Sequence, residues 1–130
     1  MENTGIALFV YNRPKHTEWV LEGLRQNGIE ELYIFADGPR PDDDENKIKN
    51  VREIINSIGW CQTHVIEREE NWGLAESTIA RINRVFKDNE RLIMLEDDDV
   101  PHPDFIQFMN RCLDIYADDS RVMNITGYSP

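Results

Sequence analysis

Short apolar runs alternate with helical patterns along this 130-residue chain, and that alternation restricts the fold more than any other feature. Each of the first four runs has the length of one strand and precedes apolar residues that recur every three or four positions. Strands joined by helices favour right-handed crossovers between parallel strands. The strands are predicted at residues 6–11, 31–36, 61–67, 91–95 and 122–126, and the helices at residues 15–26, 42–58, 74–87 and 104–116. This order predicts one α/β domain over residues 1–130, with three layers, α/β/α, around a mostly parallel open sheet.

Polar residues lie at the carboxyl ends of the first four predicted strands, which is where open parallel sheets bind their ligands. They lie at residues 11–13, 37–38, 67–68 and 96–99. Because the carboxyl ends of parallel strands meet at one edge of the sheet, we expect these segments to line a common cleft.

The acidic run Glu96-Asp97-Asp98-Asp99 is the most specific signal in the sequence. It follows an apolar strand, and four like charges at the end of a buried strand repel one another unless a cation compensates them. Mg²⁺ and Mn²⁺ prefer oxygen ligands and often keep substrate phosphates in their shell. The alternative is a solvated acidic loop at the start of the next helix. The position at a strand end favours the metal.

Three other segments carry candidate binding residues. Asp37 ends the second strand, where its carboxylate could bind a nucleotide base or form a turn with Gly38. Asn12 and Arg13 follow the first strand, and an arginine there suits either a phosphate contact or an exposed turn. Asn71 precedes the third helix, whose first backbone amides could face a ligand or simply be capped.

Charge, cysteine content and hydropathy restrict the class and location that we expect for this protein. The formal net charge is −11, from 25 acidic and 14 basic residues, which argues against a nucleic-acid binder. Cys61 and Cys112 form no CxxC pair, and we expect buried free thiols. The chain has no signal-peptide pattern and no run of the ~18 apolar residues of a membrane span, so we expect a cytoplasmic protein without a transmembrane segment.

Several segments resemble the GT-A glycosyltransferases, especially their N-acetylglucosaminyltransferase I-like and family-two-like members. The segment LFVYNRP at residues 8–14 is similar to the opening strand and loop that contact the nucleotide. IFADG at residues 34–38 is similar to the strand that carries the uracil-binding aspartate. MLEDDD at residues 94–99, followed by Pro-Asp-Phe at residues 103–105, resembles the Glu-Asp-Asp form of the DxD motif. NWGL at residues 71–74 is a weaker match to the loop before the motif strand.

The resemblance implies specific roles for these residues. Asp98 would ligate Mn²⁺ or Mg²⁺, and Glu96 and Asp97 would contact the ribose and base side of a nucleotide sugar, with UDP as the expected nucleotide. Asp37 would bind uracil. The donor-binding residues implied in the loops are Asn12, Arg13 and Asn71. Asp99 departs from the commoner pattern, in which an apolar residue follows, so the choice of metal ligand among Asp97, Asp98 and Asp99 stays open.

The expected function is metal-dependent transfer of a sugar to an acceptor hydroxyl of a carbohydrate or glycoconjugate, as in polysaccharide biosynthesis. The likeness covers only the donor half of such enzymes, so we expect a truncated chain whose catalytic base lies beyond residue 130. Inversion at the sugar carbon follows from the resemblance alone. A non-catalytic nucleotide-binding or interaction module is the alternative. A sugar nucleotidyltransferase is disfavoured, because residues 12–14 lack the glycine-rich loop that holds a triphosphate.

Overall fold

The computed structural model describes residues 4–69, 80 and 82–116. Four strands and four helices alternate there, as the apolar pattern predicts. The strands are β1 Thr4–Val10, β2 Glu31–Ala36, β3 Gln62–Glu67 and β4 Arg91–Glu96. The helices are α1 Pro14–Gln26, α2 Glu45–Asn56, α3 at residues 82–86, and α4 Phe105–Tyr116. The strand predicted at residues 122–126 and the predicted first part of the third helix lie outside the described residues.

The four strands form one parallel sheet in the order β3-β2-β1-β4, which confirms the predicted α/β class. The carboxyl ends are level, since Ala36 pairs with both Val10 and Glu67, and Phe9 pairs with Glu96. The chain moves outward from β1 to β3 and then returns to the other side of β1 with β4. The junction of β1 and β4 is therefore the switch point at which such sheets form a ligand crevice.

Two hydrophobic clusters lie on opposite faces of the sheet. The α1 face includes Leu8, Ile34 and Leu95 and is covered by α1, α2 and α4. The α3 face includes Ala7 and Phe35 and packs against Val85 of α3. Neighbouring residues of a strand belong to different clusters because side chains alternate across the sheet.

Residues at the two ends of helix α1 determine where it begins and where it ends. Pro14 occupies its first turn, where the missing N–H costs no hydrogen bond. The backbone N–H and hydroxyl of Thr17 both donate to the Arg13 carbonyl, at 3.0 and 2.7 Å. A glycine just after an apolar helical stripe is expected in the left-handed conformation, and Gly28, which follows α1, has a φ of 70°.

Helix α2 is shorter than the sequence pattern predicts. It spans Glu45–Asn56 rather than residues 42–58, because the carboxylate of Asp44 accepts a hydrogen bond from the Asn46 backbone N–H at 3.0 Å. That bond makes Asp44 the N-cap and leaves Asp42 and Asp43 in the preceding turn.

Candidate metal centre at the carboxyl edge of the sheet

The four acids that end β4 divide into two groups. Ile93 and Leu95 are buried on the α1 face, whereas Met94 and Glu96 point to the opposite side and are exposed. Asp97 is only 6% exposed and lies against the start of α1, since its carboxylate Oδ1 is 3.9 Å from Arg13 Nε. The adjacent acids Glu96, Asp98 and Asp99 are exposed. The run therefore supplies one buried carboxylate and three that face solvent.

Glu96, Asp98 and Asp99 form a cluster, which we call the acid trio. One carboxylate oxygen from each lies within 4.8 Å of the others. A tight turn gathers them: the Asp99 backbone N–H donates to the Glu96 carbonyl at 3.0 Å, and the Glu96 backbone N–H donates to the Asp99 carboxylate at 3.1 Å. Gathering three like charges is unfavourable without a counter-charge.

The donor set of the acid trio fits a hard divalent cation. All three groups are carboxylate oxygens, which Mg²⁺ and Mn²⁺ prefer, and nitrogen and sulphur donors are absent from the trio. The exposure of the three side chains leaves room for water or phosphate oxygens to complete a six-coordinate shell. The trio could thus hold a cation and present its open positions to an anionic ligand.

Asp97 has different electrostatics from its neighbours. Burial raises the pKa of its carboxyl above the ordinary value of 3.8, and the negative charge of Asp98 adds to that rise. The positive charges of Arg13 and His16 and a hydrogen bond from its own backbone oppose the pKa shift without cancelling it. Asp97 thus faces the start of α1, and among the described residues Arg13 is the cation with which it pairs.

Arg13 connects the end of β1 to both groups of acids. Its Nη1 lies 3.8 Å from Asp98 Oδ2, in addition to the Nε contact with Asp97. The Arg13 side chain is 48% exposed, and ion pairs of that kind contribute at most about 1 kcal/mol. The guanidinium is therefore a loosely held cation at the switch point, available to a ligand.

Asp37 follows β2 on the other side of β1. Its carboxylate accepts a hydrogen bond from the Gly38 backbone N–H at 2.9 Å, and residues 37–40 form no turn. Arg52 of α2 donates to the Arg68 carbonyl and, at 3.4 Å, to the Asp37 carbonyl. These bonds tie the ends of β2 and β3 to α2 and fix the backbone that carries Asp37.

A hydrogen bond between Tyr11 and Asp43 fastens the loop after β2 to the end of β1. The Tyr11 hydroxyl donates to the Asp43 carboxylate. The Arg40 backbone N–H points at both, 2.6 Å from the carboxylate and 3.2 Å from the hydroxyl oxygen. Nothing in the sequence pattern indicates this pair, because its members are 32 positions apart and each resembles an ordinary loop residue.

The structure brings most of the predicted site residues to one edge. Arg13, Glu96, Asp97 and Asp98 meet at the β1–β4 junction. Asn12 is half-buried just after β1. Asp37 directly follows β2, which lies on the other side of β1 from β4, so strand spacing places it roughly 10 Å from the end of β4. Asn71 lies outside the described residues.

None of the described helices combines the length and the hydropathy that a membrane span requires.

Comparison with known proteins identifies a family. The family described as "Glycosyl transferase family 2" matches residues 6–128, a range that includes every candidate site residue. No curated protein matches the chain.

Proposed function

This chain belongs to glycosyl transferase family 2, and from that premise we propose that residues 1–130 form a donor-binding domain that takes a nucleotide-diphosphate sugar with a divalent cation. The family implies transfer of a sugar to an acceptor. The nucleotide, the cation and the residues that bind them are our proposal.

The acid trio is the observation that carries the proposal. It lies at the switch point of the sheet, and its oxygen donors suit Mn²⁺ or Mg²⁺. We assign Asp98 as the principal ligand, with Glu96 and Asp99 beside it. A bound cation would supply the positive charge that stabilises a departing diphosphate.

Arg13 would supply a second positive charge at the same place. Its guanidinium lies within 4 Å of Asp98, and arginine matches the geometry of phosphate oxygens well. Asp97 would hold that guanidinium toward the edge, because the buried carboxylate lies at its Nε. Together these residues would orient the diphosphate between β1 and β4.

Asp37 would recognise the base. Its position across β1 from the acids leaves the width of the β1 end for a ribose and a diphosphate. A carboxylate accepts hydrogen bonds only, so it favours a base with an N–H at the matching place, as uracil has. We therefore propose a UDP-sugar as the donor. Asn12 and Asn71 stay sequence-based predictions for this donor site.

Transfer would be inverting, with an acceptor hydroxyl attacking in line with the departing diphosphate. That step needs a general base to take the hydroxyl proton. We assign no such base among the described residues, so donor binding is the part of the reaction that these residues explain.

Calorimetric titration with UDP tests the proposal. We expect binding in Mn²⁺ and a loss of at least about tenfold in affinity in EDTA, because diphosphate and acids repel without a cation. Asp98→Asn should show the same loss in Mn²⁺. Asp88→Asn is the matched control, since Asp88 is also exposed and pairs with Arg84 away from the acids. Equal UDP affinity in Mn²⁺ and EDTA would refute the proposal.

A separate assay distinguishes an enzyme from a binding module. Release of UDP from UDP-sugars in Mn²⁺ indicates a catalytic chain, whereas UDP affinity without turnover indicates the non-catalytic alternative.

A further inference from the structure

The segment that joins the acids to α4, residues 97–104, lies alongside α1. At one end Asp97 meets Arg13, which directly precedes α1. Further along, Pro101 is buried against Gly23. At the other end the carbonyl of His102 meets Asn27, which directly follows α1. We call residues 97–104 the α1-bound segment.

The α1-bound segment has little spare length. Gly23 is ten positions after Arg13, a helical rise of about 15 Å. Pro101 is four positions after Asp97, and those four steps span at most about 14 Å when fully extended. The turn between Glu96 and Asp99 shortens that reach. The position of Pro101 and His102 on α1 therefore determines where the acid turn can lie.

Asn27 holds the far end of the segment with its side chain. The side-chain amide donates to the carbonyls of Gly23, at 2.7 Å, and His102, at 3.0 Å. The side-chain carbonyl accepts from the Ile106 backbone N–H at 2.9 Å, one of the amides that the first turn of α4 leaves without a helical partner. One residue thus fixes the segment to α1 and caps the helix that follows it.

Gly23 allows the close approach of Pro101. A β-carbon at Gly23 would lie 2.8 Å from Pro101 Cδ and 3.0 Å from its carbonyl oxygen. These neighbours are a ring carbon and a backbone oxygen, so neither can rotate away as the far end of a flexible side chain would. Any larger residue at position 23 would push the segment off α1.

We infer that Asn27 and Gly23 are positioning residues for the acid trio: they hold the α1-bound segment against α1 and so set the acid turn at the geometry that binds the cation. This inference rests on the proposed function, because it assumes that the trio holds a divalent cation. Residues that orient metal ligands from outside the coordination shell typically contribute 10- to 100-fold to metal affinity.

The chain contains a matched pair that provides the control. Asn89 also follows a helix, and its side-chain amide donates to the Val85 carbonyl four residues earlier, at 3.0 Å, and to the Tyr33 hydroxyl, at 3.1 Å. Gly5 also permits a close approach, since a β-carbon there would collide with Val85. This pair lies at the amino-terminal end of the sheet, as Gly5 is opposite Leu92 near the start of β4.

The experiment measures Mn²⁺ affinity by calorimetry and Tm by thermal unfolding for Asn27→Ala and Asn89→Ala. Both variants should lower Tm, because each loses side-chain hydrogen bonds to a helix end. Asn27→Ala should weaken Mn²⁺ binding at least about tenfold, whereas Asn89→Ala should leave it unchanged. Gly23→Ala should also weaken Mn²⁺ binding, because the added methyl group displaces the α1-bound segment. Gly5→Ala introduces a similar collision at the other end of the sheet and should leave Mn²⁺ binding unchanged.

Asn27→Asp is the second variant, because it keeps an acceptor for the Ile106 backbone N–H but loses the donor to the carbonyls of Gly23 and His102. It should also weaken Mn²⁺ binding, which keeps the test valid where an alanine variant does not fold. Equal Mn²⁺ affinity of the Asn27 and Asn89 variants would overturn the inference while leaving the proposed function intact. A wild-type chain that binds no Mn²⁺ would instead overturn the proposed function, and the inference with it.

Discussion

The two faces of the sheet are covered to different degrees, and the acidic run at the end of β4 contains both a buried and an exposed part. Three helices, α1, α2 and α4, bury the α1 face, while α3 covers part of the other face within the described residues. Asp97 lies toward the well-covered face and is buried, whereas the acid trio is exposed. This comparison shows that consecutive acidic residues can have different roles. The buried one contacts the scaffold, and the exposed three are available to a cation.

The largest expected effect compares the two faces directly. Leu8 is fully buried on the α1 face, so Leu8→Ala should lower the free energy of unfolding by about 2–5 kcal/mol. Met94 is 44% exposed on the opposite side, and Met94→Ala should change that free energy by less than about 1 kcal/mol. Urea denaturation measures both. Similar losses would mean that the α3 face is as well packed as the other.

A smaller effect concerns Arg13, which contacts both groups of acids. Arg13→Ala should tighten Mn²⁺ binding in the absence of nucleotide by two- to fivefold, the worth of a surface ion pair of about 0.5–1 kcal/mol. The same variant should weaken UDP binding in Mn²⁺ by about tenfold, since a charged hydrogen bond to phosphate contributes more.

Arg25→Ala is the control, because Arg25 is an exposed arginine of α1 that pairs with Glu22 and lies away from the acids. Calorimetry on both variants decides the point. If Arg13→Ala weakens the binding of both Mn²⁺ and UDP, or tightens the binding of both, Arg13 does not oppose the cation and favour the nucleotide as described.

The smallest expected effect is the pH dependence of stability at Asp97. Burial raises the pKa of this carboxyl in the folded chain, so folding favours its protonated form. The stability that this preference contributes is present below the unfolded pKa, near 3.8, and is lost as the pH rises through the folded pKa. Asp97→Asn removes that loss, so the variant should gain Tm over the wild type from pH 4 toward pH 7. Thermal unfolding in EDTA measures the difference in Tm between the variant and the wild type. A difference that falls as the pH rises would contradict the raised pKa of Asp97.

Local chemistry made much of the fold predictable. The alternating pattern gave the strand–helix order and hence the parallel sheet, and Gly28 was identifiable from its place after an apolar helical stripe. The acidic run was identifiable because strand and turn propensities place it at a carboxyl end. In each case the determining contacts lie within a few residues of each other in the chain.

Tertiary contacts determined what the sequence did not indicate. The helical pattern of α1 predicts that Trp19 faces inward, yet it is 55% exposed, because the core beneath α1 is filled by Val20, Leu21 and Leu24. Asn27 contacts His102 across 75 positions, and no local pattern encodes that bond. The division of the acids depends on the turn at Glu96–Asp99 and on the nearby Arg13, which are properties of the folded chain.

Mn²⁺ titration of four neutral variants tests the division of the acidic run most directly. Glu96→Gln, Asp98→Asn and Asp99→Asn should each weaken Mn²⁺ binding by at least about tenfold, because each removes a charged ligand of the acid trio. Asp97→Asn should change it by no more than about threefold at about 0.15 M salt. One charge about 7 Å from a divalent cation is worth about 1.2 kcal/mol in water, and screening over a Debye length of about 8 Å reduces this to about 0.5 kcal/mol. If Asp97→Asn weakens Mn²⁺ binding as much as Asp98→Asn does, the acids act as a single group and the account is wrong.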